Sequence, residues 1–240
     1  MGNEQKERVS VIMLMGSADR GLARRLESVT GQMGSDDEIL LVARDQEEDG
    51  SFNGLVNGVR AAVITGATLP ERLNAALRQA SGEFIFLADS CDTWHPGKRA
   101  ACLAALQEGA TAVVHDAVVV DGDLNELKGS LLGHRFRPDL FSCLFHNRAV
   151  GCCMAFRREI LNTALPVLPH GLPDYWFLAA AQRTGLVTFI GRTLIFYCSP
   201  RTAAGKHRVF GKPGNGLKFR DFWYVYIVLP GRIRRHRKTV

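Results

Sequence analysis

Residues 81–98, SGEFIFLADSCDTWHPGK, decide how the rest of the chain is interpreted. The apolar run at 82–88 predicts a buried strand, and Asp89 and Asp92 follow where that strand ends. Pro96 then opens an Ala/Leu-rich segment, which predicts a helix because proline suits a first helical turn. Two carboxylates between a buried strand and a helix favour a ligand site.

Apolar runs alternate with helical patterns on both sides of this stretch. Further strands are predicted at 9–15, 38–43, 61–65, 111–120, 149–156, 186–190 and 194–198. Further helices are predicted at 20–32, 69–80, 157–164 and 173–184. Near-continuous apolar strands separated by helices indicate one α/β domain with a mostly parallel central sheet flanked by helices. Such a sheet binds ligands at the carboxyl ends of its strands, where Asp89 is expected.

Charge divides the 240-residue chain into two parts. The net charge is +6, but residues 201–240 contain eleven Lys and Arg against a single Asp. We therefore predict a mildly acidic domain at 1–200 and a basic, aromatic extension at 201–240. An acidic body disfavours nucleic acid as the partner of the domain. Six cysteines without a CxxC pair disfavour a structural zinc site, and reduced thiols without an apolar leader predict a cytoplasmic location.

The spacing of Asp89 and Asp92 allows two interpretations. Closely placed carboxylates can bind Mg²⁺ or Mn²⁺ that bridges a diphosphate, because hard cations prefer oxygen ligands. Alternatively, Asp92 only caps the helix that follows.

In order and spacing, this stretch resembles the acidic motif of the family-two glycosyltransferases with the GT-A fold. The SGE lead-in, the strand, the Asp-x-x-Asp pair and the Trp and Pro that follow all match. The resemblance implies a GT-A-like domain that transfers a sugar, with inversion, from a nucleotide diphosphate sugar to a hydroxyl of a glycan or lipid-linked acceptor. Cys91 departs from the pattern, since it stands where the family has a second carboxylate, and a thiol is a poor Mg²⁺ or Mn²⁺ ligand.

The same resemblance suggests residues that bind the nucleotide. Asp45 falls near the family's nucleotide-contacting Asp, and Arg72 and Asn74 stand near its Ala-Arg-Asn segment. With Asp89 these are the expected donor-binding residues. The turns after the first two predicted strands differ from the family pattern, so the nucleotide site is divergent.

Asp174 is the candidate general base. The segment 151–157, GCCMAFR, resembles the strand that lines the family's acceptor side, and residues 173–176, PDYW, resemble its His-Asp-Trp-Trp motif. An inverting transfer needs a carboxylate that accepts the proton of the acceptor hydroxyl. Alternatively, Asp174 is only a helix N-terminal residue favoured by the macrodipole. After the last strand the family often has Tyr-Arg-x-His, which serves the leaving diphosphate; Tyr197 and Arg201 match this pattern, but the His is missing. Lys206, His207 and Arg208 lie just beyond and could supply the positive charge instead.

Residues 217–240 combine an aromatic run with a polybasic end. This pattern predicts binding to an anionic membrane surface at the inner face of the plasma membrane. A solvated or protein-docking tail and a nucleic-acid-binding tail are the alternatives.

Two other functions compete with the transferase. A catalytically degenerate relative that acts as a docking or scaffold partner would tolerate Cys91 and the altered nucleotide turns. A nucleotidyltransferase would need a Gly-rich loop with a basic residue after the first strand, and Met15-Gly16-Ser17-Ala18 offers little of that.

Overall fold

The computed structural model describes residues 7–16, 21–43, 60–133, 136–137, 150–167 and 173–198. The predicted nucleotide residue Asp45 and the basic extension at 201–240 lie outside the described residues. Within the described ranges, no helix combines the length and apolar character that a membrane span requires.

The described residues form nine strands, five α-helices and two short 3₁₀ turns. The strands are β1 Val9–Leu14, β2 Glu38–Val42, β3 Arg60–Ile64, β4 Phe84–Asp89, β5 Thr93–Trp94, β6 Ala112–Val120, β7 Glu126–Lys128, β8 Met154–Arg157 and β9 Val187–Cys198. The helices are α1 Leu22–Thr30, α2 Leu69–Gln79, α3 Lys98–Gln107, α4 Leu161–Ala164 and α5 Pro173–Thr184. The 3₁₀ turns are Gly151–Cys153 and Arg158–Ile160.

All nine strands belong to one sheet in the order β3-β2-β1-β4-β8-β6-β9-β5, with β7 paired to β6. The first four strands are parallel, as predicted from their continuous apolar runs, and β1, β2 and β4 are buried along nearly their whole length. The second half is mixed, because β8 pairs antiparallel with both β4 and β6 while β6 and β9 are parallel. The predicted α/β fold is therefore confirmed, with a parallel half and a mixed half.

The Ser-Gly lead-in to β4 has a structural role. Ser81 donates hydrogen bonds from its N–H (2.7 Å) and its hydroxyl (2.6 Å) to Oε1 of the buried Glu38. The Gly82 N–H donates to Oγ of Ser10 (2.8 Å), and a Cβ at Gly82 would lie 2.5 Å from the Ser10 nitrogen. These contacts fix β4 to β1 and β2 at its amino end, opposite the expected ligand edge.

Helix α2 begins where the sequence predicts because its cap is strong. Thr68 and Glu71 form a capping box, and Pro70 occupies the first turn. Helix α3, in contrast, begins at Lys98 and not at Pro96. Gly97 is its N-cap in the left-handed conformation (φ 85°), which glycine adopts without a steric penalty.

Two strand predictions need correction. The segments 186–190 and 194–198 form one strand, β9, because residues 191–192 bulge out of the β6 register and pairing resumes at Thr193. The predicted strand at 149–156 begins instead with the 3₁₀ turn Gly151–Cys153, and only Met154–Arg157 pairs. This turn places Gly151 beside α5, where the candidate base lies.

Candidate functional site

Asp89 ends β4 at the carboxyl edge of the parallel strands, in register with Leu14 of β1. The next residue ties the two strand ends together, since the Ser90 N–H donates to the Leu14 carbonyl (2.9 Å) and Ser90 Oγ accepts from the Gly16 N–H (2.8 Å). Burial and, to a smaller extent, the nearby carboxylates Asp92 and Asp174 raise the pKa of Asp89 to about 8. A positive charge bound at this ligand edge would favour the ionised form of Asp89.

Asp92 is almost fully buried, at 1% exposure. Its Oδ1 accepts the N–H of Cys198 at the end of β9 (3.0 Å). Its Oδ2 has no partner at hydrogen-bonding distance among the described residues. Burial raises the pKa of Asp92 to about 6, although polar contacts with Cys152 and Cys198 lower it. The cap of α3 is Gly97, so the alternative in which Asp92 merely caps that helix is wrong.

The donor atoms of Asp89, Cys91 and Asp92 lie within 4.8 Å of one another. Two carboxylates and a thiol at this separation fit a divalent cation. The buried Asp92 oxygen that lacks a hydrogen-bond partner among the described residues fits the same interpretation. The predicted metal ligands Asp89 and Asp92 are therefore brought together, and Cys91 is added to them.

Asp174 lies in the first turn of α5 and is half-buried beside the 3₁₀ turn. Burial raises its pKa to about 6, while a hydrogen bond donated by the Gly151 N–H lowers it. A Cβ on Gly151 would lie 2.5 Å from Oδ1 of Asp174, so only glycine fits between the turn and the carboxylate. A carboxylate with a pKa near neutrality is suited to accept a proton at physiological pH.

One cavity of about 210 Å³ is lined by both Asp89 and Asp174. Tyr197 of β9 also lines it, and its other walls are mostly apolar, including Leu69 and Leu73 of α2 and Phe177 of α5. Burial raises the pKa of Tyr197, so its hydroxyl stays protonated and can donate a hydrogen bond. The cavity thus joins the predicted cation ligand to the predicted base.

Arg72 and Asn74 contact backbone groups near α2. Arg72 Nη1 donates to the Gly66 carbonyl (3.0 Å). Asn74 accepts the Val167 N–H (2.6 Å) and donates to the Val167 carbonyl (3.0 Å). These bonds give Asn74 a structural role that links α2 to the segment after α4, and a nucleotide role for either residue stays a prediction.

Lys98 is a buried basic residue of the site for which the sequence motifs predicted no role. Its side chain is 0% exposed, donates to the Cys152 carbonyl (2.7 Å) and lies 4.2 Å from the Trp94 ring centroid. Burial lowers its pKa, and Asp92 is among the groups that oppose this effect. The lysine that follows Trp94 and Pro96 in the acidic motif was the available signal.

Comparisons with known proteins agree with this geometry. The family description "Glycosyl transferase family 2" matches residues 10–165. An "Uncharacterized glycosyltransferase" of Nostoc sp. is 26% identical over 183 residues, covering 68% of this chain and 54% of that protein. The chain therefore spans about half the length of this curated relative.

Solved structures of S. aureus TarS share the fold. The TarS 1-349 complex with UDP-GlcNAc superposes with a TM-score of 0.64 at 16% identity, covering 94% of this chain and 66% of that one. The UDP complex gives 0.62 at 15% identity, covering 94% and 65%. The family match extends over more than half of the chain, from β1 through α4. The chain belongs to glycosyl transferase family 2.

Proposed function

We propose that the chain transfers a sugar, with inversion, from a nucleotide diphosphate sugar to a hydroxyl of a glycan or lipid-linked acceptor. The observation that carries this proposal is the cavity lined by both Asp89 and Asp174. Family membership supports a glycosyltransferase, and the UDP and UDP-GlcNAc complexes of TarS support a uridine diphosphate sugar as the first donor to test.

Asp174 acts as the general base in this proposal. Its carboxylate accepts the proton of the acceptor hydroxyl as the acceptor oxygen bonds to the anomeric carbon. The bond from that carbon to the diphosphate breaks on the opposite face, so the configuration inverts and the nucleotide diphosphate leaves. The Gly151 N–H and the apolar packing of α5 hold the base in place before the substrates bind.

A bound divalent cation would supply positive charge to the leaving diphosphate. Asp89, Cys91 and Asp92 are the residues that would hold it. Without such a charge, the carboxylates of the site would repel a diphosphate. Tyr197 lines the same cavity and can donate a hydrogen bond to an oxygen of the donor.

A screen of nucleotide sugars tests this function. The full chain is incubated with UDP-, GDP- and dTDP-sugars, with and without divalent cations, and release of the nucleotide diphosphate is measured. We expect cation-dependent release with one donor class and a rate that is lower by about 100-fold in Asp92→Ala, since even indirect partners of a metal are worth about 10–100-fold. Asp123→Asn, at an exposed turn, is the matched control and should keep the wild-type rate.

The docking alternative is favoured by Cys91, which replaces a carboxylate of the family's acidic motif. Calorimetry with UDP, GDP and dTDP separates the two functions. Binding of one nucleotide without turnover of its sugars, or no binding at all, would support the docking function.

We also propose that the basic extension holds the protein at an anionic membrane, at the cytoplasmic face. Residues 217–240 carry aromatic residues followed by Arg232, Arg234, Arg235, Arg237 and Lys238. Each basic residue near an anionic surface contributes about 1 kcal/mol. Changing these five residues to Ala should therefore abolish binding to phosphatidylserine vesicles, while neutral vesicles should bind neither form. Retained binding would contradict the proposal.

A further inference from the structure

Cys91 lies between two carboxylates on the turn after β4. The sulfur and one oxygen from each of Asp89 and Asp92 are all within 4.8 Å of one another, and Cys91 Sγ lies 3.8 Å from Asp92 Oδ1. Bonds of about 2.3 Å to sulfur and about 2.1 Å to oxygen at a tetrahedral angle place the two ligand atoms roughly 3.6 Å apart. The turn therefore presents sulfur and oxygen donors at nearly the separation that a bound metal requires.

Asp92 supplies an independent sign of a missing ligand. Its side chain is buried, and Oδ2 has no hydrogen-bond partner among the described residues. An unsatisfied buried polar atom destabilises the folded chain, and a charged one does so more strongly. A cation coordinated at this oxygen would remove that cost.

The accessibility of the thiol agrees with such a role. Cys91 is exposed, whereas Cys102, Cys152 and Cys153 are buried. An exposed thiol on a turn can bind a cation that enters from solvent, and a buried thiol is restricted to packing.

The chemistry of the donors determines which cation fits. Mg²⁺ takes oxygen ligands almost exclusively, whereas a thiolate selects softer metals such as Zn²⁺. We propose that Asp89, Cys91 and Asp92 form a mixed oxygen-sulfur site that binds a borderline transition-metal dication, such as Zn²⁺ or Co²⁺, in preference to Mg²⁺. On binding, the S–H proton is released to solvent and a sulfur–metal bond forms.

The inference deepens the proposed function and rests on it for its purpose, since the cation would serve the donor diphosphate. Its chemistry can be tested separately. Metal binding to the full chain needs neither a donor nor an acceptor, so a spectroscopic test succeeds or fails independently of sugar transfer.

The test is a titration of the metal-free full chain with Co²⁺, followed by absorption spectroscopy. We expect a sulfur-to-cobalt charge-transfer band at one equivalent, displaced by one equivalent of Zn²⁺ and retained in a large excess of Mg²⁺. Cys91→Ser should lose the band and weaken Zn²⁺ binding by at least about 100-fold, since even indirect partners of a metal are worth about 10–100-fold.

Two further variants complete the design. Cys91→Asp restores a carboxylate and should lose the band while gaining Mg²⁺ affinity. Cys102→Ala removes a buried thiol of α3 and should keep the band. A wild-type titration without the band, a band unchanged in Cys91→Ser, or displacement by equimolar Mg²⁺ would each overturn the proposal. Sugar transfer without the band would leave the proposed function intact, and the band without transfer would leave the metal site intact.

Discussion

The Gly151 N–H donates a hydrogen bond to the Asp174 carboxylate, and Gly151 leaves no space for a side chain, because its Cβ would lie 2.5 Å from Asp174 Oδ1. The 3₁₀ turn before β8 therefore packs closely against the first turn of α5, and Gly151 and the candidate base Asp174 form the contact.

Gly151→Ala should displace the Asp174 carboxylate from the cavity. Because a misplacement of about 1 Å can cost about 100-fold in rate, we expect kcat to fall by roughly that factor while the affinity for the nucleotide stays within about twofold. Steady-state kinetics and calorimetry measure the two quantities. Gly122→Ala, where a Cβ meets nothing within 4 Å, is the control. Wild-type kcat in Gly151→Ala would contradict the predicted role of this contact.

The rate should depend on pH through Asp174. The base works only as a carboxylate, and burial raises its pKa to about 6. We therefore expect kcat/KM, which reports the pKa of the free enzyme, to rise about tenfold per pH unit below pH 6 and to level off above it. A rate that stays constant between pH 5 and pH 7 would exclude a base with this pKa.

Asp89 should destabilise the metal-free fold at high pH. Its folded-state pKa is about 8 against 3.8 for the ordinary group, so the folded chain binds more protons than the unfolded chain between these values. The contribution of Asp89 to stability is therefore lost as pH rises from about 4 to about 8. Asp89→Asn should unfold at a higher temperature than wild type at pH 8, by about 2–4 °C for each kcal/mol gained.

The control for this prediction is the same comparison at pH 4.5. There the side chain of Asp89 is protonated in the folded chain, and pH 4.5 lies only just above the ordinary pKa of 3.8, so the difference between the two proteins should be much smaller than at pH 8. A melting temperature of Asp89→Asn equal to or below that of wild type at pH 8 would contradict this prediction.

Lys98 should support both the stability and the activity of the site. Lys98→Met removes the hydrogen bond to the Cys152 carbonyl and the contact with the Trp94 ring. An unsatisfied buried carbonyl costs about 1–3 kcal/mol, and the turn that carries Gly151 loses a contact that fixes it. We expect a lower melting temperature and a lower kcat. Lys128→Met removes only a longer hydrogen bond from an exposed lysine of β7 to the Leu131 carbonyl (3.3 Å), so it should lower the melting temperature less and leave kcat unchanged. Wild-type kcat in Lys98→Met would contradict the predicted role of Lys98 in positioning the turn.

The sequence predicted the parallel half of the sheet well because β1, β2 and β4 are apolar on both faces and their helices have clear boundaries. It split β9 in two because Gly191 and Arg192 have the composition of a turn, whereas in the structure they bulge and the pairing with β6 resumes. A bulge is a tertiary feature, since the partner strand decides whether pairing continues.

At the site, the order of motifs predicted Asp89, Asp92 and Asp174, and the structure places Asp89 close to Asp92 and in one cavity with Asp174. The motifs did not predict the roles of Lys98 and of the Cys198 N–H, because these groups contact residues that are far away in the sequence. Lys98 contacts the backbone of Cys152, and the Cys198 N–H reaches Asp92 from the end of β9. Asn74, which the sequence predicted near the nucleotide, forms two hydrogen bonds with the backbone of Val167. This contact also joins residues that are far apart in the sequence.

The assignment of Asp174 as the base is tested by one substitution. Asp174→Asn keeps the shape of the side chain and removes its ability to accept a proton, so turnover of the nucleotide sugar should fall by at least about 100-fold while calorimetry finds unchanged nucleotide affinity. Asp123→Asn, at an exposed turn, should retain wild-type turnover. Wild-type turnover in Asp174→Asn would contradict the proposed mechanism.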